Sequence, residues 1–317
     1  MNPDPSTGAA PAQSRPHPAR LTVGVVGAGR VGAALGAALA RAGHQVVAAS
    51  GVSEASRERA RRYLPGVPLT QPEEAVARAE LALLAVPDDA LPGLVAGLAA
   101  TGADLAGRLL VHTSGRYGTG VLGPAVQRGA LPLALHPVMT FTGRPDDADR
   151  LTGISFGVTA PDQLRTAAEA LVIEMGGEPV FIREEDRPLY HAALASAANH
   201  LVGLVTESCD LLAAAGAANP GRMLGPLLSA ALDNALRLGD AGLTGPVARG
   251  DADTVARHLE VLAAASPRAL AAYLALARLT AGRALQAGLL APASARRLLD
   301  VLADPPGGEP GAEGRPA

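Results

Sequence analysis

The sequence predicts an α/β fold in which a mostly parallel sheet is followed by an all-helical C-terminal domain. Strand-like and helix-like segments alternate over residues 21–184, and only helical segments follow over residues 185–303. A glycine-rich turn also joins the first strand to the first helix. Such alternation is typical of parallel strands covered by helices on both faces. At 317 residues, the chain exceeds the usual size of a single core, so two domains are expected.

The predicted elements of the first domain are short apolar runs separated by longer amphipathic segments. Strands are predicted at residues 21–26, 45–50, 80–86, 108–113, 131–136, 153–159 and 179–183. Helices are predicted between them, near residues 30–42, 54–63, 89–99 and 161–176. Ligands of such sheets bind outside the carboxyl ends of the strands, so residues that follow a strand are candidate site residues.

A long helix is expected to lie at the centre of the second domain. It should begin near Asp186, which can cap it ahead of Pro188, and run to Gly216. Further helices are predicted at residues 220–238, 251–264, 267–287 and 292–303, several of them opened by a proline. The Pro/Gly-rich segments 1–20 and 304–317 are expected to be disordered tails.

The turn after the first strand carries the pattern G-x-G-x-x-G, formed by Gly27, Gly29 and Gly32. In a dinucleotide-binding βαβ unit, the first glycine makes the tight turn and the second lets the backbone approach a pyrophosphate. The third lets the helix pack closely on the sheet, and the anion meets free N–H groups at the helix N-terminus. The pattern therefore predicts a Rossmann-type domain whose cofactor contacts the whole turn: Gly27, Ala28, Gly29, Arg30, Val31 and Gly32.

The end of the second strand favours NADP over NAD. An NAD-binding unit usually carries a carboxylate there, which accepts hydrogen bonds from the adenosine ribose. Here the residues in and after the strand end are small or basic: Ser50, Ser53, Arg57 and Arg59. Hydroxyl and guanidinium groups suit a ribose phosphate. Alternatively, these arginines form a solvated helix face with Glu54 and Glu58.

Composition excludes several classes of protein and mechanism. All 27 basic residues are arginine, which excludes mechanisms built on a catalytic lysine. The net charge of −3 shows no basic excess for nucleic acid, and a single cysteine excludes a disulfide framework and a multi-cysteine metal site. No metal ligand set is predicted. No apolar run approaches the length of a membrane span, and the N-terminal segment lacks the apolar region of a signal peptide, so a cytoplasmic protein is expected.

Three strand ends carry polar groups where a ligand would lie. Val86, Pro87 and Asp88 follow one strand, close to the expected path of a nicotinamide ribose. Alternatively, Asp88 or Asp89 caps the next helix. Ser114 follows a second strand and His136 a third.

Imidazole suits proton exchange near neutrality, so His136 is a candidate acid/base. A structural role for this histidine is the alternative.

The second domain offers three more candidates. His191 and Asn199 share one face of the long helix, because eight residues span about two turns. Asn199 either faces the ligand or bonds a neighbouring helix. Arg249 follows a Gly/Pro loop, where it could hold a substrate carboxylate or form a salt bridge, and Asp251 is a natural N-cap.

The ordered set of these segments resembles oxidoreductases that join a Rossmann domain to a helical domain of the 6-phosphogluconate dehydrogenase type. The segments, which span residues 21 to about 280, are GVVGAGRVG, LLAVPDDAL, VHTSG, HPVMTF, YHAALASAANHLVGL and LTGPVARGD. The chain is most similar to a bacterial family described only as a Rossmann-like domain plus a helical domain of unknown function. The resemblance implies that the long helix faces the nicotinamide and that the helical domain forms a homodimer.

Two relatives suggest roles for individual residues. Prephenate dehydrogenases carry a His-Pro-Met segment and an upstream serine, which implies that His136 handles a proton and that Ser114 orients it. After the His-Pro pair this chain departs from them. Hydroxyisobutyrate-type relatives carry a lysine and an asparagine on the long helix, and only Asn199 resembles that pair. The missing lysine leaves His136 or His191 as the acid/base.

Together these observations predict an NADP-dependent oxidoreductase that transfers a hydride between nicotinamide and a small C=O or C=N substrate, expected to bear a carboxylate. Ser114 and Asn199 would hold the reacting heteroatom. Ketopantoate-, prephenate-, pyrroline-carboxylate- and deazaflavin-type reactions all fit this fold. A protein that binds NADP(H) and signals without turnover is the alternative from another class.

Overall fold

The computed structural model describes residues 20–102 and 104–303. Contacts divide the chain into two compact units, one up to Ala197 and one from Ala198. The boundary predicted at residues 184/185 lies earlier than this division, because the first turns of the long helix belong with the sheet. The predicted tails lie outside the described residues except for Arg20, which forms an ion pair with Glu174 at 3.0 Å.

The first unit is built on a seven-stranded sheet in the order β2-β1-β3-β4-β5-β6-β7. The strands are β1 Thr22–Val26, β2 Gln45–Ser50, β3 Leu81–Leu84, β4 Leu109–His112, β5 Leu131–Pro137, β6 Ser155–Thr159 and β7 Glu178–Phe181. The first five are parallel, β6 is antiparallel to β5, and β7 is parallel to β6. The chain reverses its direction of strand addition between β1 and β3, which is where such sheets bind their ligands.

In the part of the first unit that the structure describes, six α-helices accompany the sheet: α1 Arg30–Arg41, α2 Glu54–Tyr63, α3 Pro72–Ala77, α4 Leu91–Ala100, α5 Gly123–Val126 and α6 Arg165–Glu174. The sequence-based prediction lacked α3 and α5, which are too short to show a helical period. Yet Pro72 at the first turn of α3 and the two acidic residues after it are ordinary start signals. Gly24 lets α3 lie against β1, because a Cβ there would overlap the Ala75 carbonyl.

Apolar side chains fill both faces of the sheet. One cluster joins α1 and α6 to the sheet through Leu35, Leu39 and Leu171, and the other joins α3 and α4 through Val76 and Leu98. Because both faces of a mostly parallel sheet are covered, the predicted Rossmann-type α/β class is confirmed.

The second unit is entirely helical in the described residues. Its helices are α7 Arg187–Ala214, which begins in the first unit, α8 Pro220–Leu238, α9 Pro246–Arg249, α10 Ala252–Ala265, α11 Pro267–Gln286 and α12 Pro292–Ala303. The core of this unit lies among α9 to α12. The prediction that α7 lies at the centre of the second domain is wrong for the single chain, because Arg187 is the only buried residue of this helix. Across the described residues, helices that combine the length and the apolarity of a membrane span are absent.

Candidate active site

The five parallel strands end at one edge of the sheet, called here the carboxyl edge. Because adjacent strands lie about 4.8 Å apart, residues that follow neighbouring strands are brought close together. The glycine turn follows β1, Asp88 follows β3, Ser114 follows β4, and His136 is the next-to-last residue of β5. All of these belong to the first unit.

The glycine turn has the geometry that its pattern predicts. Gly27 has a φ of +89°, which a residue with a side chain adopts only with strain. A Cβ at Gly32 would overlap the carbonyl of Gly27, so this glycine is needed for close packing of α1. Beside Gly29 the space is open: a Cβ there would meet no atom nearer than 4.0 Å apart from its chain neighbours.

The turn leaves donors at the start of α1 for an anion. The amides of Gly27 and Ala28 are already bound, to the hydroxyl of Ser50 at 3.3 Å and to its carbonyl at 2.7 Å. The amides of Arg30 and Val31, by contrast, lie in the first turn, where helix geometry provides no acceptor. No side chain caps this helix.

Residues after β2 are engaged with one another. Ser50 is buried and braces the glycine turn, because its hydroxyl oxygen accepts the Gly27 amide. Ser53 caps α2 by accepting the amide of Ser56 at 3.1 Å. Arg57 donates to Glu54 at 3.0 Å, as the alternative interpretation expected.

Two other arginines border this region without an acidic partner. The side chains of Arg30 and Arg59 both pass beside Gly143, within 3.3 Å of the position its Cβ would take. Among the described residues no carboxylate lies within 4 Å of either guanidinium. These two charges are therefore available to an anion.

The segment after β3 contains an aspartate, Asp88, that does not cap the next helix. The helix α4 begins at Leu91 with Ala90 as its N-cap and no capping side chain, so neither Asp88 nor Asp89 caps it. Asp88 is half-buried and close enough to His136 to stabilise positive charge on that ring. Val86 is half-buried beside it, and Pro87 is exposed.

A buried histidine, His112, holds the loop after β4 (residues 113–117) through hydrogen bonds. His112 donates from Nε2 to the Gly118 carbonyl at 2.8 Å and accepts the Ser114 amide on Nδ1 at 3.2 Å. The hydroxyl of Ser114 in turn accepts the amides of Arg116 and Tyr117, both at 3.2 Å. The orienting bond from Ser114 to His136 that the resemblance implied is absent from the described contacts, because this hydroxyl closes its own turn.

His136 has a different partner. Its Nδ1 lies 2.8 Å from the hydroxyl of Tyr190, and the two rings are perpendicular at 88°, with their centroids 5.6 Å apart. The ring of His191 meets His136 edge-on at a centroid distance of 6.4 Å. Gly115 permits this crowding, because a Cβ there would lie 2.8 Å from His136 Nε2 and 2.9 Å from His191.

A buried arginine lies behind these rings. Arg187 is 1% exposed and donates to the hydroxyl of Thr159 at 2.8 Å. It also donates to the carbonyls of Ser114, Ala134 and Gly157, at 3.3, 3.2 and 2.9 Å. Within the described residues no carboxylate pairs with it, so a satisfied but unneutralised charge faces the site.

The surroundings keep both strand histidines neutral. Burial lowers the pKa of His136 to about 4, and the Arg187 charge and His191 add to this shift. Burial also lowers the pKa of His112 to about 4, against the effect of its bond to the Gly118 carbonyl. Near pH 7, His136 is therefore a neutral imidazole with one proton.

Two predicted site residues belong to the helical unit. Asn199 is exposed on α7 and lines an apolar groove of about 860 Å³ with His258 and Tyr273. Arg249 ends α9 and donates to the Thr244 carbonyl, and no carboxylate among the described residues lies within 4 Å of it. Asp251 caps α10 by accepting the amide of Thr254 at 3.1 Å, as predicted.

Sequence reasoning missed Arg187, Tyr190 and His112. Arg187 and Tyr190 are three residues apart on α7 and therefore share a face, but nothing in the sequence marks that face as buried against the sheet. His112 stood inside an apolar strand, which was the available signal.

Comparison with known proteins adds family and fold. Residues 7–137 match the family described as Rossmann-like domain, and residues 154–280 match the domain of unknown function DUF2520. The chain belongs to the proteins that join these two domains. The resemblance inferred from the motifs is thereby confirmed. No curated protein matches the chain.

Several solved structures share the fold. A candidate NADP oxidoreductase from Bacteroides fragilis is 23% identical with a TM-score of 0.67, covering 83% of this chain and 98% of its own. A pyrroline carboxylate reductase from Plasmodium falciparum, solved with NADP bound, is 14% identical with a TM-score of 0.54, covering 88% and 98%. An imine reductase variant from Myxococcus stipitatus, in complex with NAD+, is 20% identical with a TM-score of 0.54, covering 88% and 99%.

Proposed function

We propose that the protein is an NADP-dependent oxidoreductase that transfers a hydride between nicotinamide and a small C=O or C=N substrate. The observation that carries this proposal is the presence of two groups at the carboxyl edge of the sheet. A glycine turn with free helix amides follows β1, and a hydrogen-bonded histidine lies at the end of β5. The names of the similar structures, which include oxidoreductases of C=N substrates, agree with it. The bound cofactor would supply the hydride, and the chain would supply orientation and a proton.

The residues of the turn fit a dinucleotide. The open side of Gly29 allows close approach of a pyrophosphate, and the first-turn amides of Arg30 and Val31 would donate to it. We expect Val86, Pro87 and Asp88 to border the nicotinamide ribose, because they follow the adjacent strand β3.

We further propose that arginine selects NADP over NAD. The end of β2 carries no carboxylate to accept hydrogen bonds from a ribose, and Arg59 with Arg30 offers charge without an acidic partner. Arg57 would have to exchange Glu54 for the phosphate.

The variant Arg59→Ala should weaken NADPH binding about tenfold and leave NADH binding unchanged. Arg61→Ala is the control, because Arg61 is on the same helix but paired with Glu54 at 2.9 Å. Equal losses for both nucleotides would contradict this assignment.

We assign proton handling to His136. As a neutral imidazole it can take a proton from an alcohol or amine during oxidation, or donate a hydrogen bond to a C=O or C=N group during reduction. His191 is the second candidate, but it has no hydrogen bond among the described residues, whereas His136 is oriented by Tyr190. Ser114, which lies in the same unit as His136, keeps its proposed role toward the reacting heteroatom.

An anionic substrate suits the charges of the site. Arg187 is buried without a carboxylate partner, so the potential near His136 is positive. A carboxylate-bearing substrate would be attracted there, and a neutral one would not.

The homodimer is proposed from the surface of the helical unit. The 19-residue helix α8 has no buried residue. It exposes large apolar side chains, namely Met223, Leu227, Leu232, Leu236 and Leu238. Such a helix is marginal in water alone, and a patch of this kind marks an interface. The pair Leu232→Glu and Leu236→Glu should yield monomers in sedimentation, whereas Arg222→Glu should not.

The experiment that tests the function has two stages. Calorimetry with NADPH and NADH tests binding, and NADPH oxidation is then screened over ketoacids, cyclic imines and oxidised deazaflavin. Binding with turnover of one class supports the enzyme. Binding without turnover supports the sensing alternative, and no binding contradicts both.

A further inference from the structure

We propose that Tyr190 is a positioning residue, which donates its hydroxyl proton to His136 Nδ1 and thereby keeps the ring proton of His136 on Nε2. The proposal deepens the function proposed above, because it concerns the same proton-handling residue. Its structural part can be measured on the protein without any turnover.

The contact between the two side chains is built into the sheet. His136 on β5 pairs across the strands with Gly157 on β6. The hydroxyl of Tyr190 lies directly over Gly157, where any Cβ would overlap it. The bare backbone at this position therefore lets the phenol reach His136 Nδ1 at 2.8 Å.

The direction of the hydrogen bond follows from what else surrounds the phenol. Among the described residues, the Tyr190 hydroxyl has a single hydrogen-bond partner, His136 Nδ1. Burial raises the pKa of Tyr190, so the oxygen keeps its proton at neutral pH. If Nδ1 donated to the phenol oxygen instead, the phenolic proton would have no acceptor among these contacts. The phenol is therefore the donor and His136 Nδ1 the acceptor.

The charges around His136 favour the same arrangement. Arg187, Tyr190 and His191 on α7 face the ring, as do Asp88 after β3 and His112 on β4. Burial lowers the pKa of His136 most, and among these charges Arg187 lowers it most, so a second proton on the ring is disfavoured. The single proton of a ring that accepts at Nδ1 must lie on Nε2. Among the described residues Nε2 has no partner, and it lies beside Gly115 at the carboxyl edge.

The consequence is that the Nε2–H group of His136 can donate to the substrate while the imidazole ring stays neutral. A bound nicotinamide cofactor would supply the hydride for reduction, and His136 would supply the Nε2 proton to the oxygen or nitrogen of the substrate. The proton of Tyr190 would move to Nδ1, so the imidazole stays neutral, and the phenolate beside Arg187 would regain a proton from water. In this relay the Nε2–H bond of His136 and the O–H bond of Tyr190 break, and the Nδ1–H bond of His136 forms. The π electron pair of the C=O or C=N group forms the new O–H or N–H bond of the product, and the hydride supplied to the substrate carbon forms its new C–H bond.

The decisive experiment is long-range ¹H–¹⁵N spectroscopy of the full chain labelled with ¹⁵N-histidine at pH 7. His136 is assigned from the spectrum of His136→Gln. We expect the wild-type ring to carry its proton on Nε2 and the ring of Tyr190→Phe to become a mixture of both tautomers. The matched control is Tyr273→Phe, because Tyr273 binds His258 Nδ1 at 2.9 Å in the helical unit. That variant should alter the His258 signals only.

Two results would overturn the proposal. One is a proton on Nδ1 of His136 in the wild type, and the other is an unchanged tautomer in Tyr190→Phe. The direction in which the pKa of His136 changes is a further test. Loss of a hydrogen-bond donor to Nδ1 should raise this pKa, whereas loss of an acceptor from Nδ1 should lower it. If Tyr190→Phe fails to fold, Gly157→Ala replaces it, since the added methyl must displace the hydroxyl while both partners remain.

Kinetics separate a positioning role from a general structural one. Tyr190→Phe should lower kcat about fivefold to tenfold with the KM for NADPH unchanged, and it should move the acid limb of the pH profile. A parallel rise in both KM values with an unmoved pH profile contradicts positioning. If no substrate is ever turned over, the proposed function fails, yet the tautomer measurement still decides this inference.

Discussion

Two histidine–tyrosine pairs of nearly the same geometry occur within residues 20–102 and 104–303. His136 and Tyr190 lie 2.8 Å apart with ring centroids at 5.6 Å, and His258 and Tyr273 lie 2.9 Å apart with centroids at 5.8 Å. Both pairs are perpendicular at 88°. The geometry of the hydrogen bond therefore does not distinguish a candidate catalytic pair from an ordinary one.

The surroundings do distinguish them. The first pair lies at the carboxyl edge of the sheet, beside a second imidazole and the loop after β4. It also lies beside the buried guanidinium of Arg187, which has no carboxylate partner among the described residues. The second joins α10 to α11 and lines an apolar groove. Position and electrostatics, rather than the contact itself, make His136 a candidate acid/base.

The strongest test of this difference removes each histidine in turn. His136→Ala should lower turnover about 100-fold or more without loss of NADPH affinity, because it removes the group that handles the proton. His258→Ala should leave turnover unchanged. Steady-state NADPH oxidation and nucleotide fluorescence measure the two quantities. Full turnover in His136→Ala would show that the two pairs are equivalent.

Stability at low pH sharpens the comparison. Both His136 and His112 have a pKa near 4 in the folded protein against 6.5 for an ordinary imidazole. Below pH 6.5 the unfolded chain takes up protons that the folded protein does not, so the free energy of unfolding falls. The loss should be on the order of 2 kcal/mol for each ring at pH 5.

Urea unfolding at pH 7 and pH 5 measures this loss. The variant His136→Gln should show about half the pH dependence of the wild type, and adding His112→Gln should reduce it further. Equal pH dependence in the wild type and both variants would mean that neither ring is held neutral by the fold.

The loop after β4 provides a third test, which has no counterpart around His258. Gly115→Ala should displace the rings of His136 and His191, because its Cβ would lie within 3 Å of both. We expect about a tenfold loss of turnover with the fold retained, as for a small misplacement of reacting groups. Turnover equal to that of the wild type would show that the packing of these rings does not matter.

The smallest expected effect concerns the helix that carries Tyr273. Gly282 lies inside α11 with open space around it, so Gly282→Ala should stabilise the protein by about 0.5 to 1 kcal/mol. Turnover should not change. Thermal unfolding checks the gain, and a loss of activity would connect the second pair to the reaction.

Much of the fold could be predicted from sequence because its signals are local. The strand β1, the turn at Gly27 and the helix α1 are adjacent in the chain, and the Pro and Gly residues mark most helix ends. The prediction failed where contacts are long-range or elements are short. The helix α3 spans six residues, and the burial of Arg187 depends on carbonyls from β5, β6 and the loop after β4.

The site was predictable as far as a strand end identifies an edge. His136 and Asp88 were located that way, but the partner of His136 comes from α7, 54 positions later. Asn199 was expected to face the ligand or to bond a neighbouring helix, and its side chain is exposed. Periodicity identifies the face of the helix on which a residue lies, but it does not identify what packs against that face.

The bare surface of α8 has a consequence for the lifetime of the protein. A helix that fully buries none of its residues contributes little to the thermal resistance of an isolated chain, so melting should begin there and the midpoint should rise with protein concentration. At high dilution, proteases would reach the backbone at Gly216, in the loop before this helix, and at Gly239, directly after it, before they reach the sheet.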